Sequence, residues 1–597
     1  MEKNKKIRIG CASGFWGDTS TAAKQLVDKG YIDYLVFDFL AEVTMSILAR
    51  AKLKNPSMGY ATDFVDQLKP LLKDIKDQNI KVITNAGGIN PIACESILQK
   101  EAKQLGLKLN IATIQGDNLI SKLYELKDQN IIEMEKKTPL PDNCLSINAY
   151  LGAPGIAEAL KQGADIIITG RVVDSALVLG PLMYEFNWKH TDYNLLSSGS
   201  LAGHIIECGA QCTGGNYTDW DQVKGFENMG FPFVDVFQNG DFIVSKPSDT
   251  GGMVTFGTIA EQMVYEIGDP SEYILPDVIC DFSEVKIEEI GHNQVLVKNA
   301  KGYPPTDFYK TSATYHDGYK SIGTLVIGGK NAFKKSELIA NAILQKCSSI
   351  FKRNKLGDFK DTSFDIIGSD SIYGQSNINQ HTKEVVLRVV VTHVQKEALI
   401  IFSKELAQAV TGMPAGVINY LGGRPRVSPS IHLYSFLFAK KQVTTILKMN
   451  NTTTNLPLYL PQYLDRLNEP NPIKKSKSLP KPNYITPLIN LAYARSGDKG
   501  DHANIGIIAR KERYFDYIDN ALDTFSISQY FQHVIKGNIY KWNLPGINGI
   551  NFLLKNSLGG GGMASLNLDP QGKAYAQQLL EYPIPVTKEI FDEFKNN

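Results

Sequence analysis

The chain has 597 residues and balances 63 lysines and arginines against 62 aspartates and glutamates, a net charge of +1, which excludes a general electrostatic pull toward nucleic acid or anionic membranes. With 43% hydrophobic and 21% charged residues it reads as globular, and its length calls for more than one domain. No apolar run nears the roughly 20 residues that span a bilayer, and the seven cysteines are scattered without a Cys-x-x-Cys pair.

The charged start, Met1-Glu2-Lys3-Asn4-Lys5-Lys6, runs straight into a short strand at 7–12, with no apolar stretch of signal-peptide length. A cytoplasmic, reducing location is therefore expected. A helix is expected over 19–29, capped by Asp18 or Thr19, then a buried strand at 34–39. The pattern repeats with a helix at 62–77, a strand at 81–85 ending in Gly87-Gly88, and a helix at 91–104 with proline in its first turn. Strands at 110–114 and 164–169 follow, the latter leading into another helix. Strands separated by helices of this length predict βαβ units and a parallel sheet, either open or a partial barrel. The fold class expected is α/β over 1–240, followed by an α+β subdomain over 241–467. Strands at 294–297, 322–327 and 385–392 and helices at 255–266 and 336–351 belong to that second part. Residues 468–483 hold four prolines and four lysines with almost nothing apolar, and read as an extended linker. A small α+β domain is expected over 484–597.

Candidate chemistry gathers where strands end, the ligand-binding edge of a parallel sheet. The loop Gly10-Cys11-Ala12-Ser13-Gly14-Phe15-Trp16-Gly17-Asp18 joins a strand to a helix, and its amides suit an anion. It matches neither a dinucleotide nor a Walker pattern. Gly14, Phe15, Trp16, Gly17 and Asp18 are candidate ligand-binding residues, with a plain structural turn as the other reading. Asp38 and Glu42 lie at and just past the second strand, Asn85, Gly87 and Gly88 at the third, and Arg171 and Asp174 past a later one. Carboxylates beside an arginine suit general acid–base work, while helix capping with a local ion pair is the bland alternative. A helix over 200–212 would set His204, Cys208 and Cys212 on one face, where Cys208 reads as a small buried hydrophobe and no metal site is inferred. His204 and Glu207, three apart, are a candidate proton-transfer pair. Near the C-terminus, Arg495-Ser496-Gly497-Asp498-Lys499-Gly500-Asp501 and Asn504 sit between two apolar runs. Arg495, Ser496, Asp498, Lys499 and Asn504 join the ligand-binding candidates, against an ion-paired structural turn.

Three further stretches carry a likeness. The 10–18 loop, Asp38-Phe39-Leu40-Ala41-Glu42 and Thr169-Gly170-Arg171-Val172-Val173-Asp174, with the 495–501 segment, resemble signature stretches of the acyclic terpene utilisation (AtuA-like) family. The resemblance covers nearly the whole chain. It implies a ferredoxin-like fold for the C-terminal domain, and breakdown of citronellol- and geraniol-type terpenes through acyl-CoA intermediates. The expectation drawn is a catabolic enzyme of hydratase or lyase type acting by acid–base chemistry without a redox cofactor, with a CoA thioester as substrate. The alternative is a non-catalytic acyl-CoA-binding or assembly subunit. A homo-oligomer is expected, with a small acyl substrate as partner and no nucleic acid or membrane.

Overall fold

The computed structural model describes residues 5–374, 377–460, 482–562 and 564–594. Residues 468–481 of the expected linker lie outside them. Among the described residues no helix is long and apolar enough to cross a membrane.

The first sheet is built on five parallel strands: β1 (Lys6–Cys11), β2 (Tyr34–Phe37), β3 (Lys81–Thr84), β4 (Ile111–Gln115) and β6 (Ile166–Thr169), in the order β1-β2-β3-β6-β4. Runs such as Ile166-Ile167-Ile168-Thr169 are buried throughout, as a sheet covered on both faces requires. Antiparallel strands extend both edges. Phe233–Phe237, Phe242–Ser245, Gln294–Lys298 and Lys286–Gly291 continue beyond β1, and Ile446–Met449 and Thr452–Asn455 beyond β4. The order is linear, so the sheet is open rather than a partial barrel.

Between β4 and β6, the strand β5 (Cys144–Ala149) leaves for a second, antiparallel sheet. That sheet is organised around the 21-residue strand Phe308–Gly328. Both sheets thus take strands from either side of residue 240.

Helix boundaries moved for local reasons. Helix α1 (Ala22–Lys29) starts later than residue 19, because the Asp18 carboxylate accepts from the Thr19 amide and the Thr19 hydroxyl accepts from the Thr21 amide. Helix α2 (Glu42–Lys54) has no counterpart in the sequence reading. The helix expected over 62–77 is interrupted by a 3-10 turn at Lys69–Leu71, where Pro70 removes an amide donor.

The main sheet of the C-terminal domain has four antiparallel strands in the order Ala492–Lys499, His502–Ala509, Gly549–Leu554, Ile539–Leu544, a second pair joins Tyr484–Pro487 to Pro583–Val586, and the helices are Glu512–Ala521, Thr524–Tyr530, Tyr575–Leu579 and Lys588–Asp592. It docks closely on the segment after helix Phe256–Val264. A Cβ on Gly506 would fall 2.1 Å from Val264 Cγ2, so only glycine admits this approach. Arg510 grips the Asp219 carboxylate with both terminal nitrogens, at 2.6 and 2.5 Å. The Thr218 hydroxyl bonds both the amide and the carbonyl of Ala494.

Candidate functional site: a charged cleft between two domains

Asp38 follows β2 and is buried. Asn85, just past β3, donates Nδ2–H to Asp38 Oδ1 at 2.6 Å and accepts the Phe39 amide at 2.8 Å on Oδ1. Asn85 therefore holds Asp38 in place rather than meeting a ligand. Burial, then the Asp174 carboxylate, pushes Asp38 well above the usual carboxylate range, against the pull of Asn85 and Arg171. Arg171, past β6, donates to the Leu40 carbonyl at 2.9 Å and to Asp174 Oδ1 at 2.5 Å. Its Nε has no partner among the described residues.

The guanidinium lies 4.3 Å from the centre of the Tyr150 ring, with Lys310 Nζ at 5.1 Å. The Tyr150 hydroxyl donates to Glu42, and Lys310 Nζ sits 3.8 Å from the same carboxylate. Burial raises Glu42, but Lys310 and Arg171 outweigh it and hold the carboxyl down at about 2. Glu42 is an anion at every working pH.

His204 is 2% exposed in helix Tyr193–Ile206. Its Nε2 lies 3.2 Å from the Met263 carbonyl and its Nδ1 3.1 Å from Glu207 Oε1. A carbonyl only accepts, so Nε2 carries a hydrogen. The Nδ1–Glu207 contact then holds one proton, on the imidazole or on the carboxyl. Burial raises Glu207, His204 opposes, and Asp174 and Glu266 add to the rise. His204 does not reach solvent, whereas the Glu207 side chain is 17% exposed, so Glu207 is the face of the pair.

The C-terminal domain closes the far side. Asp498 is raised to about 6 by burial and by Glu266, with Lys573 opposing. Lys573 Nζ lies 3.5 Å from both Glu266 and Asp498. Burial, then the Lys310 charge, pulls Lys499 below its usual value, while Glu266, Glu207 and Glu42 oppose. Lys499 is nonetheless exposed, and the Glu266 side chain is 37% exposed. Protein surrounds these groups while water still reaches them, which describes a cleft rather than a dry core.

Glu266 has φ of +58°, a left-handed conformation costing a non-glycine residue about 1–3 kcal/mol. Asn504 enforces it: its Oδ1 accepts the Glu266 amide at 2.9 Å, while Nδ2 donates to the Val264 carbonyl at 2.7 Å.

The cleft thus brings together Asp38, Glu42, Arg171, Asp174, Glu207, Asp498 and Lys499. Others turn away from it. The 495–499 segment is strand rather than turn, and only Gly500 and Asp501 link Ala492–Lys499 to His502–Ala509. Arg495 points into the domain interface, donating to the Asn216 carbonyl at 2.7 Å and to Gln211. Ser496 ties down the 572–576 turn, donating to the Gly572 carbonyl and accepting the Ala576 amide.

In the 10–18 loop, Asp18 accepts the amides of Gly14 and Thr19 and so occupies the position foreseen for an anion. Phe15 is 59% exposed, Trp16 donates to Asp63 at 2.9 Å, and Gly17 has φ of +103°. Gly14 packs on the Cys208 backbone, Gly87 on the Thr169 carbonyl and Gly88 on Leu48, where added Cβ atoms would fall 2.8, 2.5 and 2.4 Å away. Close packing accounts for all three. The helix expected over 200–212 ends at Ile206, and a 3-10 turn, Gly209–Thr213, follows. Gly209, at φ +57°, breaks the repeat ahead of Cys212, so Cys212 leaves the His204 face.

Tyr150, Lys310, Glu266, Tyr273 and Lys573 were missed. No local pattern marks any of them; Tyr150 follows β5, a strand absent from the sequence reading. Cavities of about 550 and 600 Å³ lie elsewhere, one beside Asp277 and Lys440, the other between the second sheet and the C-terminal domain. The first cavity also holds groups that burial displaces, Asp277 upward and Lys440 and His190 downward, but the cleft gathers the larger set of charges from the strand ends.

A family description, acyclic terpene utilisation family protein AtuA, matches residues 7–449, and the AtuA ferredoxin-like domain matches residues 486–585. The chain belongs to the AtuA family. The second match bears out the ferredoxin-like reading of the C-terminal domain of this AtuA-family protein. No curated protein matches it. Two solved structures of homoserine dehydrogenase from S. aureus, at pH 6.5 and pH 7.0, are each 9% identical to it. They cover 69% and 68% of this chain and 84% and 83% of their own. A TM-score of 0.11 for each gives that likeness no bearing on fold or function.

Proposed function

We propose that this AtuA-family protein is an enzyme of acyclic terpene or branched-chain acyl breakdown that works by general acid–base catalysis, without a redox cofactor, on a CoA thioester. The family speaks for a catabolic role in terpene utilisation. The observation that carries the chemistry is the His204–Glu207 pair, which holds one proton and faces a cleft with Asp174 and Lys499. Dehydration needs one group to take a proton from carbon and another to give one to the departing oxygen, which leaves as water, and hydration runs the same transfers in reverse. Glu207 is the base, its carboxyl raised by burial, with the His204 imidazole opposing that rise and holding it in place. Asp174, raised by burial and lowered by Arg171, is the acid. Lys310 and Lys499 are the cations at hand for anionic parts of the substrate. A carbon–carbon lyase step would use the same pair.

The test is turnover of branched 2,3-unsaturated and 3-hydroxyacyl-CoA thioesters by the purified protein, followed by absorbance of the conjugated double bond. Conversion abolished in Glu207→Gln supports the reading. Tight binding of these thioesters with no conversion by the unmodified protein would instead make it a binding subunit.

A further inference from the structure

Tyr273 lies on the short strand Tyr273–Ile274, paired antiparallel with Ile279–Asp281. Its ring is held between His204, 5.8 Å away centre to centre, and Phe282, at 5.9 Å. Lys499 Nζ lies 5.1 Å from the ring centre. Several other enclosed tyrosines hydrogen-bond through their hydroxyls, Tyr150 to Glu42, Tyr34 to Glu185 at 2.7 Å, and Tyr434 to the Ile131 and Thr138 carbonyls, although the buried Tyr60 and Tyr309 do not among the described residues. The Tyr273 hydroxyl has no hydrogen-bond partner, and Lys499 no carboxylate at ion-pair distance, among the described residues. A phenol surrounded by protein ordinarily finds a partner. Here the phenol and the ammonium are both left open in the same cleft. Burial, then Glu207 and Asp174, raises the phenol well above its usual value, so it keeps its hydrogen and can only be spent as a donor or neutral acceptor.

We infer that Tyr273 is a catalytic residue of this cleft, donating a hydrogen bond to the carbonyl oxygen of an acyl thioester, with the Lys499 ammonium beside it stabilising the enolate. The inference rests on the acid–base reading above and adds the reaction's intermediate. Glu207 takes the proton from the carbon next to the carbonyl, the C–H electron pair becomes the C=C bond of the enolate, and the carbonyl π pair moves onto oxygen. Tyr273 retains its own proton throughout. The substrate class follows from charge. A free acid would carry two negative charges on its oxygens after that step, beside Asp174, Glu207 and Glu266. A thioester carries one, and its α-hydrogen is more acidic.

The experiment is exchange of the α-hydrogens of isovaleryl-CoA in D2O, read by mass spectrometry, which needs no net turnover. The unmodified protein is expected to exchange them. Tyr273→Phe keeps the ring packing and should slow exchange by about 10²–10³-fold, the loss typical of one oxyanion donor, with KM changed much less. Lys499→Met should slow it too, and Lys499→Arg should recover most of the rate. Exchange at the unmodified rate in a folded Tyr273→Phe protein overturns the inference and leaves the acid–base reading standing, provided Glu207→Gln abolishes exchange. An unmodified protein that neither exchanges nor converts any acyl thioester overturns both.

Discussion

At the scale of single residues, the cleft divides into groups that are held and groups that are free to act. Asn85, Asn504 and Ser496 spend their polar atoms on backbone or on neighbours, and Arg495 commits both terminal nitrogens to the domain interface. Glu207, Asp174, Lys499 and Tyr273 keep a face to the cleft. Substitutions should separate the two sets. Glu207→Gln keeps the shape and an amide that can donate to His204 Nδ1, so the melting temperature should move by no more than a few degrees. Activity should fall by about 10²–10⁴-fold, the range for a lost general base. Unmodified kcat in that variant would remove Glu207 from the mechanism. Lys499→Ala should likewise cost far more activity than stability, whereas Arg495→Ala should do the reverse, since it leaves Gln211 and the Asn216 carbonyl without their buried partner. Paired melting and turnover measurements on both variants decide this.

At the scale of elements, the junction between helix Phe256–Val264 and strand His502–Ala509 positions Glu266. Gly506 lets the strand lie against Val264, and Asn504 then reaches the Glu266 amide. Gly506→Val should destabilise the protein by about 1–3 kcal/mol or more, as overpacking does. It should also lower activity, because the Glu266–Lys573–Asp498 group loses its register. A variant with a depressed melting temperature but full turnover would show that this junction serves docking alone.

At the scale of the whole molecule, buried carboxyls set the dependence of stability on pH. Glu261 is raised by burial from 4.5 to about 8, and Asp117 from 3.8 to about 6. Such groups bind more protons folded than unfolded, so stability falls as pH climbs from their unfolded values to their folded ones. Glu42, held at about 2, acts oppositely: its contribution is present above 4.5 and is lost as pH falls toward 2. Stability should therefore peak near the usual carboxylate range and decline toward pH 8. Melting temperatures by calorimetry at pH 5.5 and 8.5 check this, with the lower pH giving the higher value. Glu261→Gln keeps the acceptor for the Thr218 amide, so it should flatten the decline and raise the value at pH 8.5 by several degrees. An unchanged slope in that variant would assign the decline to other groups.

The sequence by itself determined the βα alternation of the first sheet, because buried β-branched runs, helix periodicity, and glycine and proline breaks act within a few residues. It also located Asp38, Asn85, Arg171 and Asp174 at strand ends, and the family through its motifs. Tertiary structure decided which of these residues face one another. Lys310 enters from the long strand of the second sheet and Lys573 from the C-terminal domain, and nothing local marks either. Arg495 and Lys499 look alike in sequence, yet one anchors an interface and the other stands in the cleft. Strand sense and domain docking separate them, and both depend on contacts hundreds of residues apart, such as Gly506 with Val264 and Arg510 with Asp219. Local preferences act along the chain; charge, burial and proton affinity depend on what the fold brings near.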